Sequence, residues 1–269
     1  MLPSLARLLL PLTFAVGLHS ALAQAPASVF LEDLTWTELR DQVRAGSTTI
    51  IVPIGGTEQN GPAMTLGKHN VRVKALAAKI AAGLGHTLVA PVIAYVPEGS
   101  VNPPAAHMRF AGTITIPDAA FEATLEYAAR SFRQHGFRDI VFIGDHGGYQ
   151  KSLRRVADKL DREWARDAAR VHALDEYYQA VEADYAQALE HQGYSRAEIG
   201  THAGLADTSL AMAVDPSLVR TERLHALLPD RSQGVYGAPA RASAQAGQQG
   251  VELVVARSIE AIKRRMVRH

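Results

Sequence analysis

The chain has 269 residues, 47% of them hydrophobic and 20% charged, which is ordinary globular composition for one core. A formal net charge of +1, with no block of Lys and Arg, gives no electrostatic footprint for nucleic acid or an anionic surface. The absence of cysteine excludes disulfides and thiolate metal sites, so any bound metal must use His, Asp, Glu or Asn.

The first 25 residues read as a secretory signal peptide. Arg7 gives a positive start, Leu8 to Leu18 is a short apolar run, and Ala21-Leu22-Ala23 and Ala23-Gln24-Ala25 offer small-x-small cleavage sites. The run is shorter than the ~20 residues that span a bilayer. Residues 26–269 are therefore expected as one exported, periplasmic or secreted domain, free of the membrane after cleavage.

Thr35 is placed to cap a helix over Leu34–Val43. Thr49–Ile54 is an apolar, β-branched run that ends in Gly55-Gly56, as a buried strand does on entering a loop. An Ala-rich helix is predicted over Val71–Leu84 and a second strand over Thr87–Ile93. Residues 97–112, rich in Gly and Pro, form a long loop suited to touching a substrate. A short strand is expected at Thr113–Ile116, then a helix from Asp118 to Gln134 behind Pro117. Asp139–Ile143 reads as another buried strand, Ser152–Ala169 as a helix and Arg170–Leu174 as a strand. Further helices are expected over Glu182–Gln192, toward Val214 and over Gln249–Val267. Strands alternating with helices predict a single-domain, three-layer α/β/α fold with a mostly parallel central sheet.

Three loops carry the chemistry. Glu58 and His69 follow the first strand, His146 sits in Gly144-Asp145-His146-Gly147-Gly148 after the Asp139 strand, and His202 precedes Asp207 in Thr201–Ser209. In open α/β sheets ligands bind beyond the carboxyl ends of the strands, so these loops converge on one edge and suggest a metal site.

These segments resemble the creatininase (creatinine amidohydrolase) family, which includes formamide deformylases and a mycofactocin-precursor peptidase. Pro53-Ile-Gly-Gly-Thr-Glu58-Gln-Asn60-Gly-Pro62 with Leu66-Gly67-Lys68-His69 matches its first motif. Phe110-Ala-Gly112-Thr113, Gly144–Tyr149, His202-Ala-Gly204-Leu-Ala-Asp207-Thr-Ser209 and Gly234–Pro239 follow in the family's order. The resemblance implies a two-metal hydrolase and a homo-oligomer, commonly a hexamer. It also shows departures. Asn60 stands for a ligand His, His69 for a bridging Asp, and Asp207 for a Glu. The creatinine-specific pattern has a Glu where this chain has Gly148, so creatinine is not the expected substrate.

An amide oxygen at Asn60 is a weak ligand for zinc or iron, and a neutral imidazole at His69 has one free nitrogen and cannot bridge. The expected centre is therefore mononuclear, held by Glu58, His69 and His146, with Asp207 as fourth ligand or base. Zinc is the expected metal, with manganese or iron as alternatives. The expected reaction is metal-assisted hydrolysis of a C–N bond in a small amide, cyclic amide or formamide. His202 is the implied proton donor to the leaving nitrogen, with Asp207 as its catalytic companion. Asn60, His107, Arg109, Gly147 and Gly148 are the expected substrate contacts, the last two through backbone N–H groups. Two alternatives stand beside this reading: a binding protein on the same fold that does not hydrolyse its ligand, and a metal-assisted isomerase or lyase.

Overall fold

The structure is a computed structural model that describes residues 28–266, so the signal-peptide reading lies outside the described residues. Four parallel strands form the sheet: β1 (Thr49–Ile54), β2 (Thr87–Val89), β3 (Asp139–Gly144) and β4 (Arg170–Ala173), in the order β2-β1-β3-β4. β1 and β3 pair along their whole length, from Thr49 opposite Asp139 to Ile54 opposite Gly144. Every residue of β1 is buried, the pattern expected of a strand covered on both faces. Pro53 is tolerated in this central strand because β2 pairs only with Thr49–Ile51, so its missing N–H falls past the last β2 pair.

The helices are α1 (Trp36–Arg44), α2 (Lys68–Leu84), α3 (Asp118–Gln134), α4 (Gln150–Glu163), α5 (Asp175–Gln179), α6 (Ala186–His191), α7 (Arg196–Ile199), α8 (Leu205–Val214), α9 (Thr221–Leu224) and α10 (Ala244–Met266). A π-helical turn, Ala180–Tyr185, joins α5 to α6. Thr35 caps α1 as expected, in a reciprocal box with Glu38. Helices α2, α8 and α10 cover one face of the sheet through Val73, Leu76, Ile80, Leu210 and Val254. Helices α1, α3 and α4 cover the other through Phe121, Leu125, Leu153 and Leu160. The three-layer α/β/α expectation holds.

Several expected elements differ: the helix expected over Ser152–Ala169 ends at Glu163, and the one expected over Glu182–Gln192 begins as the π-helical turn. Thr113–Ile116 forms no strand: scattered bonds, among them Ile114 N to Thr57 O, Ile116 N to Val96 O and Glu98 N to Thr115 Oγ1, tie the 97–112 loop to the site edge. The strand predicted to Ile93 stops at Val89, and Ile93 returns only as a single bridge to Ile54.

Helices α8 and α10 touch backbone to backbone at Gly247, where a Cβ would overlap the carbonyl oxygen of Ser209. Gly247→Ala is expected to lower the urea midpoint. Alanine gains about 1 kcal/mol in helix propensity, but overpacking costs about 1–3 kcal/mol, and here the overlapped atom is backbone and cannot rotate away.

Candidate metal centre and its ion network

The carboxyl ends of β1 and β3 place Glu58 and the Asp145-His146 pair side by side. One tyrosine fixes that junction. Tyr149 Oη accepts from the backbone N–H groups of Asp145 and His146, each at 3.1 Å, and lies 2.8 and 2.7 Å from the carbonyl oxygens of Ile54 and Gly55. The chain after β2 returns along the same edge and delivers Glu98, and the short helical turn Ala106–Arg109 delivers His107.

Glu58, Glu98, His107 and His146 each offer a ligand atom, all within 4.8 Å of one another. Glu58 Oε2 lies 3.1 Å from His107 Nδ1 and 3.5 Å from His146 Nε2, and His146 Nδ1 lies 3.7 Å from Glu98 Oε2. Glu58 Oε2 and both oxygens of Glu98 are buried and make no hydrogen bond. Burial and the neighbouring Glu58 push Glu98 up to about 10. Burial holds His146 down at about 3 and His202 at about 4, and it lowers His107 as well. Without a metal, Glu98 therefore holds a proton beside Glu58; a divalent cation would displace that proton and give the converging carboxylate and imidazole donors a shared positive partner. The four residues fit a metal.

Two of the expected ligands do other work. His69 presents both nitrogens to carboxylates, Nδ1 at 2.6 Å from Asp145 and Nε2 at 2.7 Å from Glu58 Oε1. With a carboxylate against each ring nitrogen, His69 has no open nitrogen facing a metal. Asp207 receives Lys68 Nζ on both oxygens (2.9 and 2.7 Å), Arg72 Nη1 at 2.6 Å and the Ala203 N–H at 2.9 Å. Arg72 also donates to Asp145. The result is one buried series: Glu58, His69, Asp145, Arg72, Asp207, Lys68. Burial pushes Glu58 and Asp207 up, but His69 and His146 hold the first, and Lys68 and Arg72 the second, well below the usual carboxylate range.

The remaining expected residues divide. His202, His107 and Gly147 line a cavity of about 170 Å³ together with Lys68, Tyr178 and Glu182. Gln59 Nε2 lies 3.0 Å from both His107 Nδ1 and His202 Nε2, and so couples the two rings. Asn60 is not in the cavity. Its amide nitrogen bridges Glu58 O and Thr65 O, so it shapes the loop. Arg109 turns back to Ala106 O and is absent from the lining. The Gly148 N–H is taken by His146 Nδ1 at 3.2 Å. Ala106 and Ala203 hold φ of 52° and 51°, beside His107 and His202. Left-handed non-glycine residues of this kind cluster where a site is held in a strained form.

Glu98, Gln59, Lys68, Arg72 and Tyr149 had no role assigned from the sequence. Lys68 and Arg72 did leave a signal, because they fall on the same i, i+4 row as the buried Leu76 and Ile80. Glu98 left none beyond its place in a Gly- and Pro-rich loop.

Among known proteins, the creatininase family, described as creatinine amidohydrolase, matches residues 32–262. The creatinine amidohydrolase of Pseudomonas putida is 27% identical over 203 residues, 73% of this chain and 76% of that protein. A mycofactocin precursor peptide peptidase of Mycobacterium tuberculosis is 30% identical over 234 residues, 77% of this chain and 82% of its own. A solved creatininase variant of the Zn-Zn type superposes with a TM-score of 0.72 at 26% identity, covering 89% of this chain and 99% of that one. A manganese form of creatininase gives 0.73 at 24% identity, with 89% and 99% covered.

The buried histidines set an acid limit. The folded value of His202 lies below its unfolded value near 6.5, so the unfolded chain binds more protons and stability falls as pH falls. The metal-free protein is expected to lose roughly 3 kcal/mol from this group between pH 6.5 and about 4. Urea unfolding across that range, with His202→Gln flattening the slope, measures it.

Proposed function

This chain belongs to the creatininase family, and from that premise we propose that it is a one-metal hydrolase of a small cyclic amide or formamide. The observation that carries the reading is the convergence of Glu58, Glu98, His107 and His146, with three buried carboxylate oxygens that have no hydrogen bond. These four would hold the ion, zinc in the first instance and manganese as the alternative. What a divalent ion contributes in such a site is Lewis-acid polarisation of a carbonyl and activation of water.

The chain's own groups supply the rest. His202 lies on the cavity wall, neutral at pH 7, with Nε2 held 3.0 Å from both the side-chain nitrogen and the backbone oxygen of Gln59. Neutral, it is placed to take up a proton released from the attacking water and pass it on to the leaving nitrogen. His202 is itself set by close backbone contact. A Cβ on Gly204 would stand 2.5 Å from Ile199 O, and one on Gly237 would stand 2.7 Å from Gly204 Cα, so both positions require glycine. Asp207, bound by two cations, orients the loop through the Ala203 N–H and is not free to serve as the base.

Cavity size supports a compact substrate. About 170 Å³ is well below the several hundred typical of drug-sized ligands. The likeness to a peptidase gives a second reading, cleavage of a peptide end that enters the same cavity. The proposal keeps the export expected from residues 1–25 and association with further copies of the chain, both as expectations from sequence.

Elemental analysis of the purified chain is expected to give about one metal per protomer. Glu98→Ala and His107→Ala should each lower metal affinity at least tenfold, and Asp207→Asn should leave the stoichiometry unchanged. Two metals per chain, or none after reconstitution with zinc or manganese, would reject the one-metal reading. A panel of cyclic amides, formamides and short peptides decides between the two substrate classes.

A further inference from the structure

Lys68 is the first residue of α2 and is fully buried, yet it lines the cavity. A cation at a helix N-terminus faces the positive end of the helix dipole, which disfavours it. Asp207 offsets this by accepting two of its three N–H bonds, at 2.9 and 2.7 Å. The third has no partner among the described residues. Its neighbour on the same helix is in a different position: Arg72 directs Nε and Nη2 at Asp145 and Nη1 at Asp207. The Lys68 charge is felt at Glu58, Glu98, His107, His146 and His202. Beside it His69 and Asp207 are committed to protein groups, and Asn60 offers only a neutral amide oxygen, a weak ligand, so the described residues there make no strong ligand set for a second metal.

We propose that the Lys68 ammonium binds the acyl oxygen of the substrate, and afterwards the carboxylate of the product, as a second positive pole beside the metal group. The proposal rests on the one-metal reading. An ammonium that is already buried and held by Asp207 needs no reorganisation to meet a developing negative charge, the condition under which such a donor is most effective. A fixed cation of this kind gives the pocket two poles with a single exchangeable ion. The matching ligand class is a small molecule with an acyl or carboxylate oxygen, not a polycation or a purely apolar compound.

Acetate and formate are the probes, because they carry that oxygen whatever the substrate. They are titrated calorimetrically into the zinc-loaded protein, whose metal content is measured in the same samples. Wild type is expected to bind at least one of them. Lys68→Met should keep one zinc and weaken binding roughly tenfold to hundredfold, the loss expected for one hydrogen bond from a charged donor. Asp207→Asn breaks the same ion pair but keeps the ammonium, and it should retain acetate binding; a merely structural Lys68 would make the two variants alike. Lys68→Gln, which can still donate to Asp207, serves if Lys68→Met fails to fold. Equal binding by wild type and the Lys68 variant, or no binding by wild type, overturns the proposal while one zinc per chain leaves the one-metal reading standing. A zinc count other than one rejects that reading instead.

Discussion

A carboxylate taken out of water must be given a cation, and this protein meets that requirement three times within one small volume. Glu58, Asp145 and Asp207 are balanced by His69, Arg72 and Lys68, arranged so that every neighbour in the series has opposite sign. Each removal would strand a buried charge, which in comparable sites costs several kcal/mol. The series therefore fixes geometry more than it adds stability. It locks the start of α2 against the end of β3 and the first turn of α8, and it leaves one oxygen of Glu58 pointing at the histidines.

That division of Glu58 explains how one site can be both rigid and receptive. Oε1 belongs to the ion series through His69, and Oε2 faces Glu98, His107 and His146 without a hydrogen bond. Two environments meet on one carboxyl group. On one side the carboxyl group is tied to the ion series, and on the other it meets carboxylate and imidazole donors without a hydrogen bond to the protein. Gln59 and Tyr149 hold the second side open from the backbone outward, the first by joining two imidazole rings and the second by joining two strand ends.

Much of this was readable in the residues. The sheet and its helices followed from apolar runs that end in glycine, and Glu58, His146 and His202 were candidates from their place in loops beyond the strands, whereas His107 was expected to touch substrate and instead stands within the possible ligand group. Partnerships were not readable. His69 and Asp207 were expected to bind metal because nothing local revealed that Asp145 lies 76 residues from the first, or that Lys68 lies 139 residues from the second. Long-range ion pairs have no periodicity to betray them. Glu98 was hidden for a related reason: a carboxylate in a Gly- and Pro-rich loop reads as solvated until the fold buries it to 2% exposure. Thr113–Ile116 has the composition of a strand but lies beyond the end of the strands and bonds to the loop residues Thr57 and Val96 instead.

The buried basic side chains Lys68 and Arg72 of α2 differ from a metal ion in one respect that bears on supply. An ion from solution occupies its site according to its concentration, so a centre that needs two such ions depends on the product of two occupancies. A charge borne on a side chain is part of the covalent chain and has no such dependence. On the one-metal proposal, with Lys68 and Arg72 built into one helix end, the demand on the surrounding pool of divalent ions would fall to the first power. Where such ions are scarce, a linear dependence tolerates scarcity better than a quadratic one.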